Sequence, residues 1–418
     1  MSEKPRTAIL HYTAPPVVGG VEAVIQAHTD VFVQQGYPVA VIAGRGEEGA
    51  LSAGAELILI PEIDSQHPEI VEMTAELDSG EVPDGFGAMV ERIRDALVPV
   101  LGRFENLIIH NVLTKHFNLP LTAALFNLMD EQVISHCIGW CHDFTWMSPA
   151  SEGKVYPRYP WDLLRSYRPD VTYVVVSKRR QAALADLFDC DRDEIKVVYN
   201  GVNPKALLGL TDEGAALIER LGLLEDDLIL LMPVRVTEAK NIEHALRVVA
   251  ALKEVNPGVK LVLTGPPDPH DVGTMDYYES LRTLRSELGV EDEMRFVFEA
   301  GPEGTEGYTI EADVVGDLFR ICDLVFMPSH REGFGMPVLE AGLVGVPVVC
   351  TDMPAADEIA GPDVTLVGSG EDPVLLADEI LSLLEEDPVY RLRRRVRKQY
   401  TWRAIFQRGI RPLLVNPE

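Results

Sequence analysis

The sequence predicts an α/β protein made of two parallel-sheet domains in tandem. Three observations predict it. Short apolar runs alternate with longer amphipathic segments along the chain. The strand-like runs are apolar almost throughout, the mark of parallel strands covered by helices on both faces. The alternation breaks over Pro204–Asp227, where turn residues mix with a short helical pattern, and then restarts. A chain of 418 residues also exceeds the roughly 250–300 residues at which one core stops growing.

In the first half, strands are expected at Ala8–Tyr12, Val39–Ala43, Leu57–Ile60, Leu107–His110, Val133–Trp140, Val171–Val176 and Lys196–Tyr199. Helices lie between them, notably Val21–Gln35 and Phe86–Leu101. In the second half, strands are expected at Leu228–Pro233, Lys260–Thr264, Met294–Phe298, Asp323–Met327, Pro347–Cys350 and Thr365–Val367. The stretch Val389–Leu414 is helical with no strand after it. The boundaries follow as 1–203, 204–388 and 389–418. In such sheets ligands bind outside the carboxyl ends of the strands, so chemistry is sought just after each one.

Composition narrows the function. Hydrophobic residues at 46% and charged residues at 25% are ordinary for a globular protein and exclude a disordered or fibrous chain. The net charge of -29 repels phosphate backbones and anionic lipid, so neither nucleic acid nor a membrane is an expected partner. The five cysteines, Cys137, Cys141, Cys190, Cys322 and Cys350, show no paired framework. The opening MSEKPRTAILHYTAPP lacks the apolar core of a signal peptide, and the cytoplasm is the expected compartment.

The densest signal follows the strand ending at Met327. A loop carries Glu332, Gly333 and Gly335, and a helix opens near Met336–Pro337 with Glu340 in its first turns. Glycines let backbone approach a ligand, and free N–H groups at a helix start favour an anion. Both carboxylates suit vicinal hydroxyls of a sugar or ribose. The alternative is a helix with acidic residues that the macrodipole favours near its N-terminus.

The stretch Glu332-Gly333-Phe334-Gly335-Met336-Pro337-Val338-Leu339-Glu340 resembles the E-G-F-G-x-x-x-x-E signature of glycosyltransferase family 4, retaining enzymes of GT-B fold. That fold has two Rossmann-like domains facing a cleft. The resemblance implies an acceptor-side N-terminal domain, a nucleotide-sugar-binding C-terminal domain, and a last helix with Trp402 returning to the first. It implies that Glu332 holds donor-sugar hydroxyls near the reacting carbon and that Glu340 binds the ribose. The backbone of Gly333, Phe334, Gly335, Met336, Pro337 and Val338 would face the diphosphate and sugar.

Other stretches match in place. Arg235 and Lys240 follow the strand Leu228–Pro233 and have the family's spacing for two cations on the diphosphate, where they would stabilise the leaving group. Gly19 and Gly20 are similar to the family's glycine-rich first loop and are not the dinucleotide fingerprint. His142 matches a His that holds the donor sugar. Asp143, Phe144 and Trp146 are acceptor-side candidates, with packing under the loop as the alternative for the aromatics. Val175-Val176-Ser177 and Tyr199-Asn200-Gly201-Val202-Asn203 also align; the second has Tyr and Asn where the family has Pro and Asp.

Three tempting features are set aside. His136, Cys137, Cys141 and His142 lie close together, but neighbours on a strand point to opposite faces, so zinc is not expected. Asp191-Arg192-Asp193 has the D-x-D form of metal-dependent transferases and reads as acidic surface. The basic run Arg391–Lys398 reads as a solvated helix rather than a lipid site.

The expected function is a metal-independent hexosyltransferase without cofactor. It would move a hexose from a UDP-, GDP- or ADP-sugar to a hydroxyl on a small molecule, glycan or lipid, with retention by a front-face route. A GT-B sugar-nucleotide epimerase and a silent sugar-nucleotide-binding module are the alternatives. The base is expected beyond Thr264-Gly265, near Val297–Phe298, and Glu299–Asp313 is a longer connection than the family's.

Overall fold

The structure, a computed structural model, describes residues 4–267, 273–302 and 307–415. Among the described residues, thirteen strands stand at the thirteen expected places: β1 Thr7–Leu10, β2 Val39–Ala43, β3 Glu56–Leu59, β4 Asn106–His110, β5 Cys137–Cys141, β6 Val171–Val175, β7 Ile195–Val197, β8 Leu228–Met232, β9 Val259–Leu263, β10 Met294–Phe296, β11 Leu324–Met327, β12 Val348–Thr351 and β13 Thr365–Val367. The longest expected strand is trimmed at its start: Val133 and Ile134 pack against the core from the loop before β5. All strands pair in parallel, in one sheet of seven and one of six.

The chain divides into two compact units, at Val202/Asn203 and at Thr401/Trp402. In the first unit the sheet order is β3-β2-β1-β4-β5-β6-β7. Alternation along the strands sends Leu10, Ile42, Ile109, Cys141 and Tyr173 to one core. It sends Ile9, Val41, Ile108, Trp140 and Val174 to the other. Helices Phe86–Leu101 and Leu119–Asp130 cover the first face. Helix Gly20–Gln34 and the segment 402–414 cover the second. There the ring of Phe406 packs edge-on against Phe32 and Tyr37, each at 5.1 Å. Gly201 is needed where the tail crosses, because a Cβ there would lie 2.7 Å from the Trp402 ring.

The second unit has sheet order β10-β9-β8-β11-β12-β13. Counted from β8 this is 3-2-1-4-5-6, the Rossmann order. Helices Ile242–Val255 and Pro373–Glu386 cover one face. Asp212–Arg220, Ala312–Ile321 and Met336–Val344 cover the other.

One boundary differs from expectation. The helix Pro388–Gln399 counts with the second unit rather than with the returning tail. Its cations decide this. Arg397 meets Asp323 at 2.7 Å with both side chains almost inaccessible (6% and 0%). Arg394 and Lys398 reach Asp227 at 2.9 and 2.6 Å. Arg393 donates to Arg320 O and Arg391 to Glu385 O, each at 2.7 Å. Five of the six basic side chains in Arg391–Lys398 thus have partners within the unit, which accounts for the basic run. Among the described residues no helix is long and apolar enough to cross a membrane.

Candidate functional site

In the second unit the strand order reverses between β8 and β11, so their loops leave the sheet side by side. The first loop carries Arg235 and Lys240, the second Glu332. His330 N–H donates to Ala239 O at 2.9 Å, and the Asn241 side-chain amide donates to Pro328 O at 3.1 Å. Asn241 holds φ +51°, a left-handed conformation that asparagine tolerates. Lys240 Nζ then donates to both carboxylate oxygens of Glu332, at 2.7 Å each. Ser329 Oγ donates to Oε1 at 2.6 Å. The two side chains keep only 19% and 9% of their accessibility.

Two residues expected on different parts of a ligand are therefore paired with each other. Arg235 is exposed on the same loop. The loop after β9 runs against the backbone at Arg235, and only glycine permits this: a Cβ on Gly265 would lie 2.5 Å from Val234 O. The segment proposed to receive the base thus abuts the loop carrying the cations.

Gly335 closes the second loop at φ +89° and precedes the helix Met336–Val344, with Pro337 in its first turn. Gly333, Phe334, Met336 and Glu340 are exposed, while the Val338 side chain is in the core. Val338 has only backbone to offer a ligand. Of the segment Glu299–Asp313, residues 303–306 lie outside the described residues; Glu299 is engaged by Tyr278 and Arg285 at 2.6 and 2.8 Å.

In the first unit the order reverses between β1 and β4. The helix Gly20–Gln34 starts here, with Gly19 as its extended N-cap. Glu22, in its first turn, accepts from Thr13 Oγ1 at 2.6 Å and lies 3.9 Å from His11 Nε2. His142 follows β5 directly. Its ring Nε2 lies 3.0 Å from His110 Nδ1. Its backbone N–H and that of Asp143 both donate to Asn111 Oδ1, at 2.8 and 3.2 Å. His28 completes a group of four histidines, its ring 5.2 Å from that of His110.

Burial disfavours the charged form of all four. It lowers His28 to about 3 and His142 to about 4, and it drives His110 and His11 down as well. Neighbouring imidazoles add to the effect at His28, His110 and His142.

The remaining candidates separate. Asp143 pairs with Arg180 at 2.7 Å on the surface. Phe144 is corrected: at 2% exposure it is a core residue, as the packing alternative had it, and it presents no face to an acceptor. Trp146 is half-buried, its indole N–H donating to Trp161 O at 3.2 Å under the guanidinium of Arg165. Cys137 and Cys141 lie in the core, where burial raises both thiols, Cys141 to about 12. His136 binds the tail at Leu413 O. Asp191–Asp193 is exposed, in and beside a short 3-10 turn.

Ser329, Asn241, His11, His110 and Asn111 join these sites without having stood out in the sequence. The signal for the last two was available, since His110 ends β4 and Asn111 follows it.

Comparison with known proteins gives a family model described as "Glycosyl transferases group 1", matching residues 215–401. The matched segment includes Arg235, Lys240, Glu332 and Glu340. An uncharacterized glycosyltransferase of Methanocaldococcus jannaschii is 30% identical over 188 residues, 44% of this chain and 43% of that one. A D-inositol 3-phosphate glycosyltransferase of Stackebrandtia nassauensis is 33% identical over 171 residues, 40% of this chain and 35% of that one. The chain thus spans less than half the length of these relatives. A crystal structure of Alr3699/HepE of Anabaena with UDP and glucose aligns over 98% of this chain and 99% of that one. Its identity is 19% and its TM-score 0.37.

Proposed function

We propose that the chain is a retaining glycosyltransferase of family 4 that moves a hexose from a nucleotide-diphosphate sugar to a hydroxyl acceptor. The observation that carries the reading is the pairing of Lys240 with Glu332, on the loop that leads into the helix Met336–Val344, at the strand-order reversal of a Rossmann sheet. The match of residues 215–401 to the group 1 family supports it, as does glycosyltransfer by the relatives. Arg235 and Lys240 would neutralise the diphosphate, Glu340 would hold the ribose, and Glu332 and His142 would hold sugar hydroxyls. Asp143 and Trp146 remain the acceptor-side candidates, with Gly19 and Gly20 at the donor.

In a front-face route the bond from the anomeric carbon to phosphate breaks and the bond to the acceptor oxygen forms on the same face. The acceptor's proton passes to the departing phosphate. Catalysis then rests on positioning and on stabilising the leaving group's charge. Arg235, Lys240 and the helix start would supply that charge with no metal and no cofactor. The experiment is a thermal-shift screen of UDP, GDP, ADP and their sugar conjugates, followed by transfer to a hydroxyl panel with NMR assignment of the product anomer. A native-state ligand at 100 times its Kd stabilises by about 2.7 kcal/mol. No shift with any nucleotide, or an inverted product, would refute the reading.

A further inference from the structure

Two adjacent residues at the end of β4 grip His142 from different sides. Asn111 Oδ1 accepts from the backbone N–H groups of His142 and Asp143. It does so from a left-handed backbone at φ +60°. His110 takes the ring: its Nδ1 lies 3.0 Å from His142 Nε2, and the rings stack at 5.3 Å and 19°. His110 is held in turn. Its carbonyl accepts from His11 Nδ1 at 2.9 Å, and its ring lies among those of Trp140 and His28.

One proton is shared between His110 Nδ1 and His142 Nε2 when both rings are neutral. The surroundings choose its side. His110 Nε2 is buried and has no partner among the described residues. With the shared proton on His142, that Nε2 would carry an N–H, a buried donor with nothing to accept from it. With the proton on His110 Nδ1, Nε2 is only a bare lone pair. Orphaned buried N–H groups are rarer in folded proteins than under-used acceptors. The second arrangement is therefore favoured, and His142 must then carry its own proton on Nδ1.

We infer that His110 is a positioning residue that locks His142 as a neutral imidazole protonated at Nδ1, so that His142 meets a ligand as a hydrogen-bond donor. This rests on the sugar-holding role proposed for His142, and it adds the direction of that contact. The sugar oxygen facing His142 accepts, so a donor whose oxygen is replaced by a group that cannot accept loses the contact. Asn111 acts beside it by fixing the backbone from which the ring projects.

The test is nitrogen NMR of the full chain labelled at histidine, with His142 identified by His142→Gln. The expected result is a proton on His142 Nδ1 and a bare, hydrogen-bonded Nε2. His110→Phe keeps an aromatic ring at that place and removes the donor, so both tautomers of His142 should appear. His110→Asn returns an N–H near the Nδ1 position and should restore the single tautomer. In turnover, His110→Phe should lower kcat by roughly 10- to 100-fold, the scale of a misplaced contact. The nucleotide Kd should be unchanged, and His110→Asn should recover part of the loss. A wild-type His142 protonated at Nε2, or the same tautomer in His110→Phe, overturns the inference. The wild-type spectrum decides even if a variant does not fold, and it needs no transfer activity. A confirmed tautomer without glycosyl transfer would count against the proposed function and leave the lock intact.

Discussion

Glu332→Gln removes the carboxylate that holds the Lys240 ammonium while keeping the side chain's shape. The ammonium lies 2.7 Å from both oxygens, so at ~3 Å and an effective dielectric of ~20 the gross attraction is about 5 kcal/mol. Desolvation offsets much of it. Fully exposed pairs contribute about 0–1 kcal/mol, and breaking a buried one costs about 3–5 kcal/mol. With 19% and 9% of the side chains accessible, a net value of about 2 kcal/mol lies between those limits. If Lys240 is a ligand of the diphosphate, it must share its charge between Glu332 and the incoming anion. The substitution then releases it, and affinity for the free nucleoside diphosphate should rise by up to about 30-fold at ~1.4 kcal/mol per tenfold. Turnover should move the other way. A sugar hydroxyl loses a charge-assisted bond of roughly 1.5–3 kcal/mol, about one to two powers of ten in rate. Lys240→Met should weaken the nucleotide, and Glu340→Ala should do the same with turnover less affected, because ribose contacts are alike in ground and transition states. Isothermal titration with the nucleoside diphosphate, beside steady-state kinetics, reads all three variants. Tenfold weaker nucleotide binding in Glu332→Gln, with Glu340→Ala unchanged, would reverse the two roles and refute the reasoning.

Acid should destabilise the first unit through its histidines. An unfolded imidazole takes a proton below 6.5, whereas His28 does so only near about 3 and His142 near about 4. The unfolded chain therefore binds more protons between those values, and stability falls as pH falls from 7.5 to 5 by about 2 kcal/mol for each such group. Urea midpoints of His28→Phe across that range should show a shallower loss, and an unchanged slope would exclude His28 as a contributor. In the second unit, Arg397→Met leaves Asp323 charged and buried, and should cost about 3–5 kcal/mol; the double variant with Asp323→Asn should recover part of this in chemical denaturation, and a fully additive pair would contradict coupling between them. Transfer should survive EDTA, since Arg235, Lys240 and the helix start are proposed to carry the charge; loss that magnesium or manganese restores would overturn that assignment.

The sequence by itself determined the two sheets and the ends at which to look. A parallel strand covered on both faces must be apolar almost throughout, and that pattern is local, so Leu228–Met232 and Leu324–Met327 are legible without any partner. The glycine and proline around Met336 likewise specify a turn and a helix start from their own backbone limits. Side-chain partnership is not local. Lys240 and Glu332 are 92 positions apart, and only the sheet order that makes β8 and β11 neighbours joins them. His142 matched a family pattern, but the ring that holds it ends β4 and the amide directly follows it, 32 and 31 positions earlier. Phe144 shows the limit most plainly. An aromatic on a loop reads the same whether it turns outward to a ligand or inward to the core, and only the packing around the loop settled that it turns inward. The helix Pro388–Gln399 is a second case. Its basic run announces charge without naming a partner, and its place in the second unit depends on Asp227 and Asp323, whose carboxylates the fold brings beneath it. Backbone preference and strand burial are written residue by residue, whereas the pairing of charges and imidazoles exists only after distant strands have been laid side by side.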